Sequence, residues 1–406
     1  MEYQFYTLPN GIKLVHKKIP SKVAHFGIII NTGSRDEADN EHGMAHFIEH
    51  TIFKGTKKRK TYHIISRLED VGGDIDAYTT KEETCIYASF LHNYYERTIE
   101  LISDIVFNSV FPEKELIKEK EVIIDEINSY KDSPADLIFD DFEELVFQNH
   151  PIGKNILGTA ENLKKFKRND VLNFIKNNYH TDQMVLCSVG NIKFKELISL
   201  LKKHFGDKPA LYRKNKRKVF NSYLSAKRTK NKSTYQTHCI TGNISYKMKD
   251  SKRIKMVLLN NIIGGPGMNS RLNLALREKH GFAYNIESFY TPYIDTGIFG
   301  IYFGTDNGNL EKCINVITKE LKKVKEQKLG KLQLHKAKKQ LIGQIAIASE
   351  NYSSLMQSIG KSYLLFDKVD TLDEIAKKIE LISAEDIQNI ANEIFDFNKF
   401  STLIYE

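Results

Sequence analysis

Residues 42–56, HGMAHFIEHTIFKGT, place His42, His46, Glu49 and His50 among apolar neighbours. His46 and His50 are four apart, so on a helix their side chains stack on one face, close enough to hold one metal ion between two imidazoles. Glu49 lies three after His46 and borders that face without having to be a ligand. Two imidazoles with a neighbouring carboxylate suit metal-assisted hydrolysis. The metal lowers the pKa of its bound water, and the carboxylate takes the proton as that water attacks a carbonyl. His42, four before His46, reads as a supporting or structural histidine where the helix begins.

A catalytic zinc takes three protein ligands and keeps one position open. The third ligand is expected in LIKEKEVIIDEINSYKD (116–132), where Ile123, Ile127 and Tyr130 define an apolar face and Glu126 falls on it. A carboxylate on a buried face is expected to meet a cation or a metal, because an unpaired one is costly. The competing reading is an ordinary salt bridge to Lys or Arg. Glu119, two helical turns earlier, shares the face and can orient a ligand.

These residues need a scaffold, and the surrounding sequence supplies its signals. QFYTLPNGIKLVHKK is a hairpin turning at Asn10-Gly11, and HFGIIINTGS is a buried strand. After the His-bearing helix, YHIISRLEDVGG is a second helix stopping at Gly72-Gly73. DIDAYTTKEETCIYASFL alternates like a strand or hairpin, helices dominate from about 93 to 180, and QMVLCSVGNI returns to strand. After a basic stretch at 212–232 the order begins again. A strand at 234–245 leads to the helix IKMVLLNNIIGG, then to a helix and turn in SRLNLALREKHGFAY. The strand pair NIESFYTPYIDTGIFGIYFGT, further helices and a last strand FSTLIY follow. Two halves with the same strand–helix rhythm predict an α+β fold of two related halves, each a largely antiparallel sheet packed with helices. The expected domains are 1–210, a basic linker 211–232, and 233–406.

The 406 residues are 41% hydrophobic and 27% charged, the composition of an ordinary globular protein. Neither a signal-peptide core nor a membrane-length apolar run is read in the sequence, so the expected location is the cytoplasm. Cys85, Cys187, Cys239 and Cys313 are too scattered for a disulfide framework or a Cys-ligated zinc site. The net charge of +9 comes from dispersed Lys and Arg, and the 212–232 cluster reads as a solvated connector rather than a nucleic-acid surface. Gly264, Gly265 and Gly267 read as a tight turn, since they follow a helix instead of opening one after a strand.

The string His46-x-x-Glu49-His50 followed by Glu126 resembles the inverted-zincin metallopeptidases, the family of pitrilysin, insulin-degrading enzyme and mitochondrial processing peptidase. HFIEHTIFKGT and EKEVIIDEI resemble its two ligand helices, and NHPIGKNILGTAENLKKF (149–166) the segment that follows them. DIDAYTTKEETCIYAS resembles its substrate strand, and GPGMNSRLNLALREKHGFAYNIESFY its C-terminal signature. The length is that of the family's short, bacterial processing-peptidase-like branch.

The resemblance implies a zinc-dependent endopeptidase acting on peptides or unfolded segments, with one Zn2+ per chain. His46, His50 and Glu126 would be ligands, Glu49 the general base and Glu119 a supporting carboxylate. Arg277 and Tyr284 would act on the bound peptide, and Asp76, Ala77 and Tyr78 would lie along it. Asp76 stands where the family pattern leads one to expect Asn. The resemblance further implies a clamshell-like enclosure completed by a homodimer, or by a heterodimer with a related chain. A non-catalytic assembly or chaperone-like subunit of the same fold is the alternative.

Overall fold

A computed structural model describes residues 2–232 and 234–406; Met1 and Ser233, which begin the two expected domains, lie outside the described residues. The chain forms two compact units.

The first unit comprises residues 1–128, 154–217 and 347–369. Its strands are β1 (Gln4–Thr7), β2 (Lys13–Lys18), β3 (Val23–Ile30), β4 (Asp74–Thr79), β5 (Thr84–Leu91) and β6 (Met184–Gly190). They form one sheet in the order β1-β2-β6-β3-β5-β4, antiparallel except where β2 runs parallel to β6. The run FGIII explains why β3 lies inside the sheet. Successive side chains point to opposite faces, so Phe26, Ile28 and Ile30 enter the larger core while Ile29 enters a second one. Each such buried side chain contributes about 1.5–3 kcal/mol. The helices Met44–Thr51, Tyr95–Asn108 and Glu113–Lys131 share the larger core.

The opposite face is covered by the helix Tyr352–Phe366, which packs on β3 and β6 through Met356 and Ile359. Gly360 permits that approach. A Cβ there would stand 2.8 Å from Ile29 Cδ1 and 2.9 Å from Cys187 Cβ.

The second unit comprises 129–153, 218–346 and 370–406. Its strands are β7 (Lys227–Lys230), β8 (Thr237–Ile244), β9 (Ala283–Pro292), β10 (Gly297–Thr305) and β11 (Ser401–Tyr405). Their order is β7-β11-β8-β10-β9, again antiparallel save one parallel pair, β7 with β11. The helix Pro134–Val146 covers one face of this sheet with Ile138 and Phe142.

The sequence expectation of two related halves therefore holds at the level of topology. In each, the last strand inserts next to the central strand and forms the one parallel pair, β6 with β2 in the first unit and β11 with β7 in the second, and a helix separates the central strand from the strand hairpin that completes the sheet. What chain order does not reveal is the exchange of segments. A helix from the N-terminal half covers the second sheet, and one from the C-terminal half covers the first.

The connector also departs from its sequence reading. Lys227–Lys230 is a strand, and the Arg213 and Arg217 side chains are mostly buried on the Asp36 carboxylate. All four cysteines are free and buried, as expected. No helix among the described residues is long and apolar enough to cross a membrane.

Replacing Gly360 by Val is expected to destabilise the protein by about 1–3 kcal/mol through overpacking against β3 and β6, with only a few tenths of a kcal/mol of helix propensity to offset it. Urea denaturation followed by circular dichroism checks this, and an unchanged midpoint would contradict the close packing.

Candidate metal centre

Met44–Thr51 is a short helix, and its position depends on contacts at its start. Gly43 has φ +98°, a left-handed conformation suited to glycine, and a Cβ there would meet Gly158 Cα and the Leu157 carbonyl at 2.9 Å. The segment after the second ligand helix thus packs against the beginning of the first. His42 completes this junction by donating from Nε2 to the Asn155 carbonyl at 3.0 Å, a contact suited to a structural histidine. The free amides of the helix N-terminus find Glu37, whose two carboxylate oxygens accept from Gly43 N and Ala45 N, each at 2.9 Å. Burial pushes the Glu37 carboxyl up to about 8, and both amide bonds oppose that rise by favouring the charged form.

His46 and His50 turn their rings toward each other, with centroids 4.6 Å apart. Glu126, from Glu113–Lys131, approaches both, its Oε2 lying 3.8 Å from His46 Nε2 and 3.4 Å from His50 Nε2. The three donor atoms all lie within 4.8 Å of one another, the one such metal-ligating group found among the described residues. Donors on a coordination sphere with bonds of about 2.0–2.2 Å stand roughly 3–4 Å apart, the separation that Glu126 keeps from both imidazoles.

The expectation that Glu126 sits on a buried face is not met. Ile123 and Ile127 are buried, but the Glu126 side chain is 42% exposed. Its convergence on the imidazoles, rather than any desolvation cost, is what marks it. Glu119 is the buried acid of this helix. Its Oε2 lies 3.4 Å from His50 Nδ1, while its Oε1 pairs with Lys54 at 2.7 Å. This is the placement of a carboxylate that orients a ligand imidazole. His46 Nδ1 has no hydrogen-bond partner among the described residues.

Electrostatics prepare the site. Burial, reinforced by the neighbouring His50, lowers the His46 pKa to about 4, so the ring is neutral at pH 7, the form that binds metal. Burial pushes the Glu49 carboxyl up to about 7. The Asp76 and Glu126 carboxylates add to that rise, and Thr79 opposes it. A carboxyl in that range can both take and return a proton near neutral pH.

Asp76, Ala77 and Tyr78 lie on β4, the outermost strand of its sheet, which contacts Met44–Thr51. The Asp76 carboxylate accepts from Ala77 N at 2.8 Å and from Tyr87 Oη at 3.1 Å; Tyr78 Oη donates to Glu83 Oε1 at 3.3 Å.

In the second unit, Arg277 lies on the π-helical segment Asn273–Lys279 and Tyr284 on β9. Both are exposed, and both line a cleft of about 330 Å³ with Asn260, Asn285 and Glu287. Gly264 and Gly265 form its wall at the end of the helix Arg253–Gly264. That helix occupies the topological place of Met44–Thr51, yet its sequence RIKMVLLNNIIG holds no His, Cys, Asp or Glu. The second half repeats the scaffold without the donors.

Sequence reasoning missed Glu37 and Lys54. Lys54, four after His50, offered a spacing signal. Glu37 offered none, because it reaches the helix through an irregular turn.

Residues 13–160 match the family described as Insulinase (Peptidase family M16), and residues 165–341 match the one described as Peptidase M16 inactive domain. The chain is 33% identical over 393 residues to a Bacillus subtilis protein named an uncharacterized zinc protease, covering 96% of this chain and 95% of that one. It is 29% identical over 403 residues to the mitochondrial-processing peptidase subunit beta of Saccharomyces cerevisiae, covering 95% and 87%. A crystal structure of a protease from Helicobacter pylori shares the fold, with a TM-score of 0.90 at 21% identity over 100% of this chain and 99% of that one. Sequence identity that spans nearly the whole length, on a scaffold whose first half alone carries the His-His-Glu cluster, places this chain in the M16 family of zinc peptidases.

Proposed function

We propose that the chain is a zinc-dependent endopeptidase that hydrolyses peptides or unfolded segments. The observation that carries this reading is the convergence of Glu126 on His46 and His50, with Glu49 beside them at a raised pKa. His46, His50 and Glu126 would hold one Zn2+, which when bound supplies a Lewis acid and an acidified water. Glu119, held by Lys54, fixes the His50 ring. Glu49 accepts the proton of the attacking water and passes it to the leaving amine. The open edge of β4 offers main-chain groups to an extended peptide, which favours unfolded segments and reads little sequence. Arg277 and Tyr284 keep the roles the family resemblance implies, a guanidinium for a substrate carbonyl and a phenol that donates to a developing oxyanion.

The name of the yeast relative, a subunit, supports a chain that works paired, with a second copy or with a related chain. Four free, buried thiols suit a reducing cytoplasm.

Purified protein is expected to contain zinc and to cleave an unstructured peptide until a chelator is added. Glu49→Gln should retain the metal but slow cleavage by on the order of 10²–10⁴-fold, and His50→Ala should lose the metal. Equal turnover in Glu49→Gln sinks the base assignment.

The charge of Asp76 raises the Glu49 pKa, and the base works only when ionised. Activity should therefore fall as pH drops through the Glu49 pKa, and Asp76→Asn should move that acid limb of kcat/KM to lower pH. An acid limb that stays in place contradicts the coupling.

A further inference from the structure

The buried arginines of the connector have no part in the chemistry above, yet their contacts lead to the ligand helix. Arg217 grips Asp36 with two bonds, Nε to Oδ1 at 2.9 Å and Nη2 to Oδ2 at 2.7 Å. Arg213 binds the same Oδ1 and donates from Nη1 to the Asn31 carbonyl at 2.8 Å. Arg217 Nη2 also donates to the Glu82 carbonyl at 2.7 Å, in the loop joining β4 to β5. The Asp36 side chain is only 3% exposed. Burial alone would raise its pKa, but Arg217 and Arg213 outweigh burial and hold the carboxyl below its ordinary range.

The turn bearing Asp36 is stitched to that loop as well, Ser34 N donating to the Thr80 carbonyl at 3.1 Å and Arg35 N to the Lys81 carbonyl at 2.8 Å. The next residue is Glu37, which accepts from Gly43 N and Ala45 N at the start of Met44–Thr51.

We propose that Arg217 and Arg213 are positioning residues for the metal-binding helix: by locking Asp36 they fix Glu37 against the first-turn amides, and so set where His46, Glu49 and His50 stand. The proposal rests on the zinc-peptidase reading for its catalytic consequence, but not for its structural one. A bidentate guanidinium–carboxylate pair is directional, and a lysine supplies the charge without the fork. A helix of two turns has few bonds of its own to hold its direction, so an anchor at its first turn controls its far end.

The test uses the full chain, with Arg217→Ala, Arg217→Lys, Glu37→Gln, the double variant Arg217→Ala/Glu37→Gln, and exposed Lys216→Ala as a charge control. Amide hydrogen exchange over residues 43–51, zinc affinity by chelator competition, and kcat and KM on an unstructured peptide are measured. Arg217→Ala is expected to speed exchange at Gly43 and Ala45, weaken zinc binding on the order of tenfold, and lower kcat more than it raises KM. Arg217→Lys should recover only part of each loss, and Lys216→Ala should match the wild type. The double variant should do little more damage than the worse single one, because both act through one path.

Unchanged exchange in folded Arg217→Ala, full rescue by lysine, or additive losses in the double variant would each overturn the proposal. If Arg217→Ala does not fold, Arg217→Lys and Glu37→Gln decide it by the same exchange measurement. A wild-type protein that neither binds zinc nor cleaves peptide would remove the enzymatic reading, while the exchange measurement would still decide the positioning role.

Discussion

Two imidazoles one helical turn apart make a three-ligand zinc site only if a further donor reaches them, and that donor lies far along the chain. Glu126 follows His50 by 76 positions, so the site exists only where the first unit folds Glu113–Lys131 across Met44–Thr51. Both helices enter the larger core, Met44, Ala45, Phe47 and Ile48 from one and Leu116, Ile123 and Ile127 from the other. Donor geometry is therefore held by apolar packing, and the polar groups sit on the faces that packing leaves over. The cluster is a consequence of core formation rather than a cause of it.

The repeated topology shows how separable scaffold and chemistry are. Each half builds a sheet with one parallel pair and a helix between the central strand and its outer hairpin. In the first half that helix reads MAHFIEHT; in the second it reads RIKMVLLNNIIG. Apolar positions that pack on the sheet survive in both, whereas imidazoles and carboxylates occur in one. Fold alone would not distinguish the halves, so function has to be argued from side chains.

Much of this was legible in the sequence because local signals carried it. The i, i+4 histidines, the Asn10-Gly11 hairpin, the apolar run of β3 and the second round of strand and helix all depend on short-range spacing. Three features depended on contacts that no spacing encodes. Glu126 is marked by convergence and not by burial, since its neighbours Ile123 and Ile127 turn inward while it stays half-exposed. The helices Pro134–Val146 and Tyr352–Phe366 each cover the sheet of the other half of the sequence, a long-range choice made by packing. Arg213 and Arg217 look like members of a solvated basic run because only the fold reveals the buried carboxylate that meets them.

Charge balance bears on the kind of cation this donor set suits. His46 is neutral at pH 7, and Glu119 is compensated by Lys54, so neither leaves an excess charge. Glu126 and Glu49 remain, two acidic groups near one another, and among the described residues no Lys or Arg forms an ion pair with either. Their mutual repulsion contributes to the raised pKa of Glu49, and the same negative field favours a divalent cation over a monovalent one. Imidazole nitrogens are poor ligands for calcium and magnesium and suit zinc and other first-row transition ions. Donor type and local charge together therefore suit a divalent transition ion of the kind a zinc peptidase would hold.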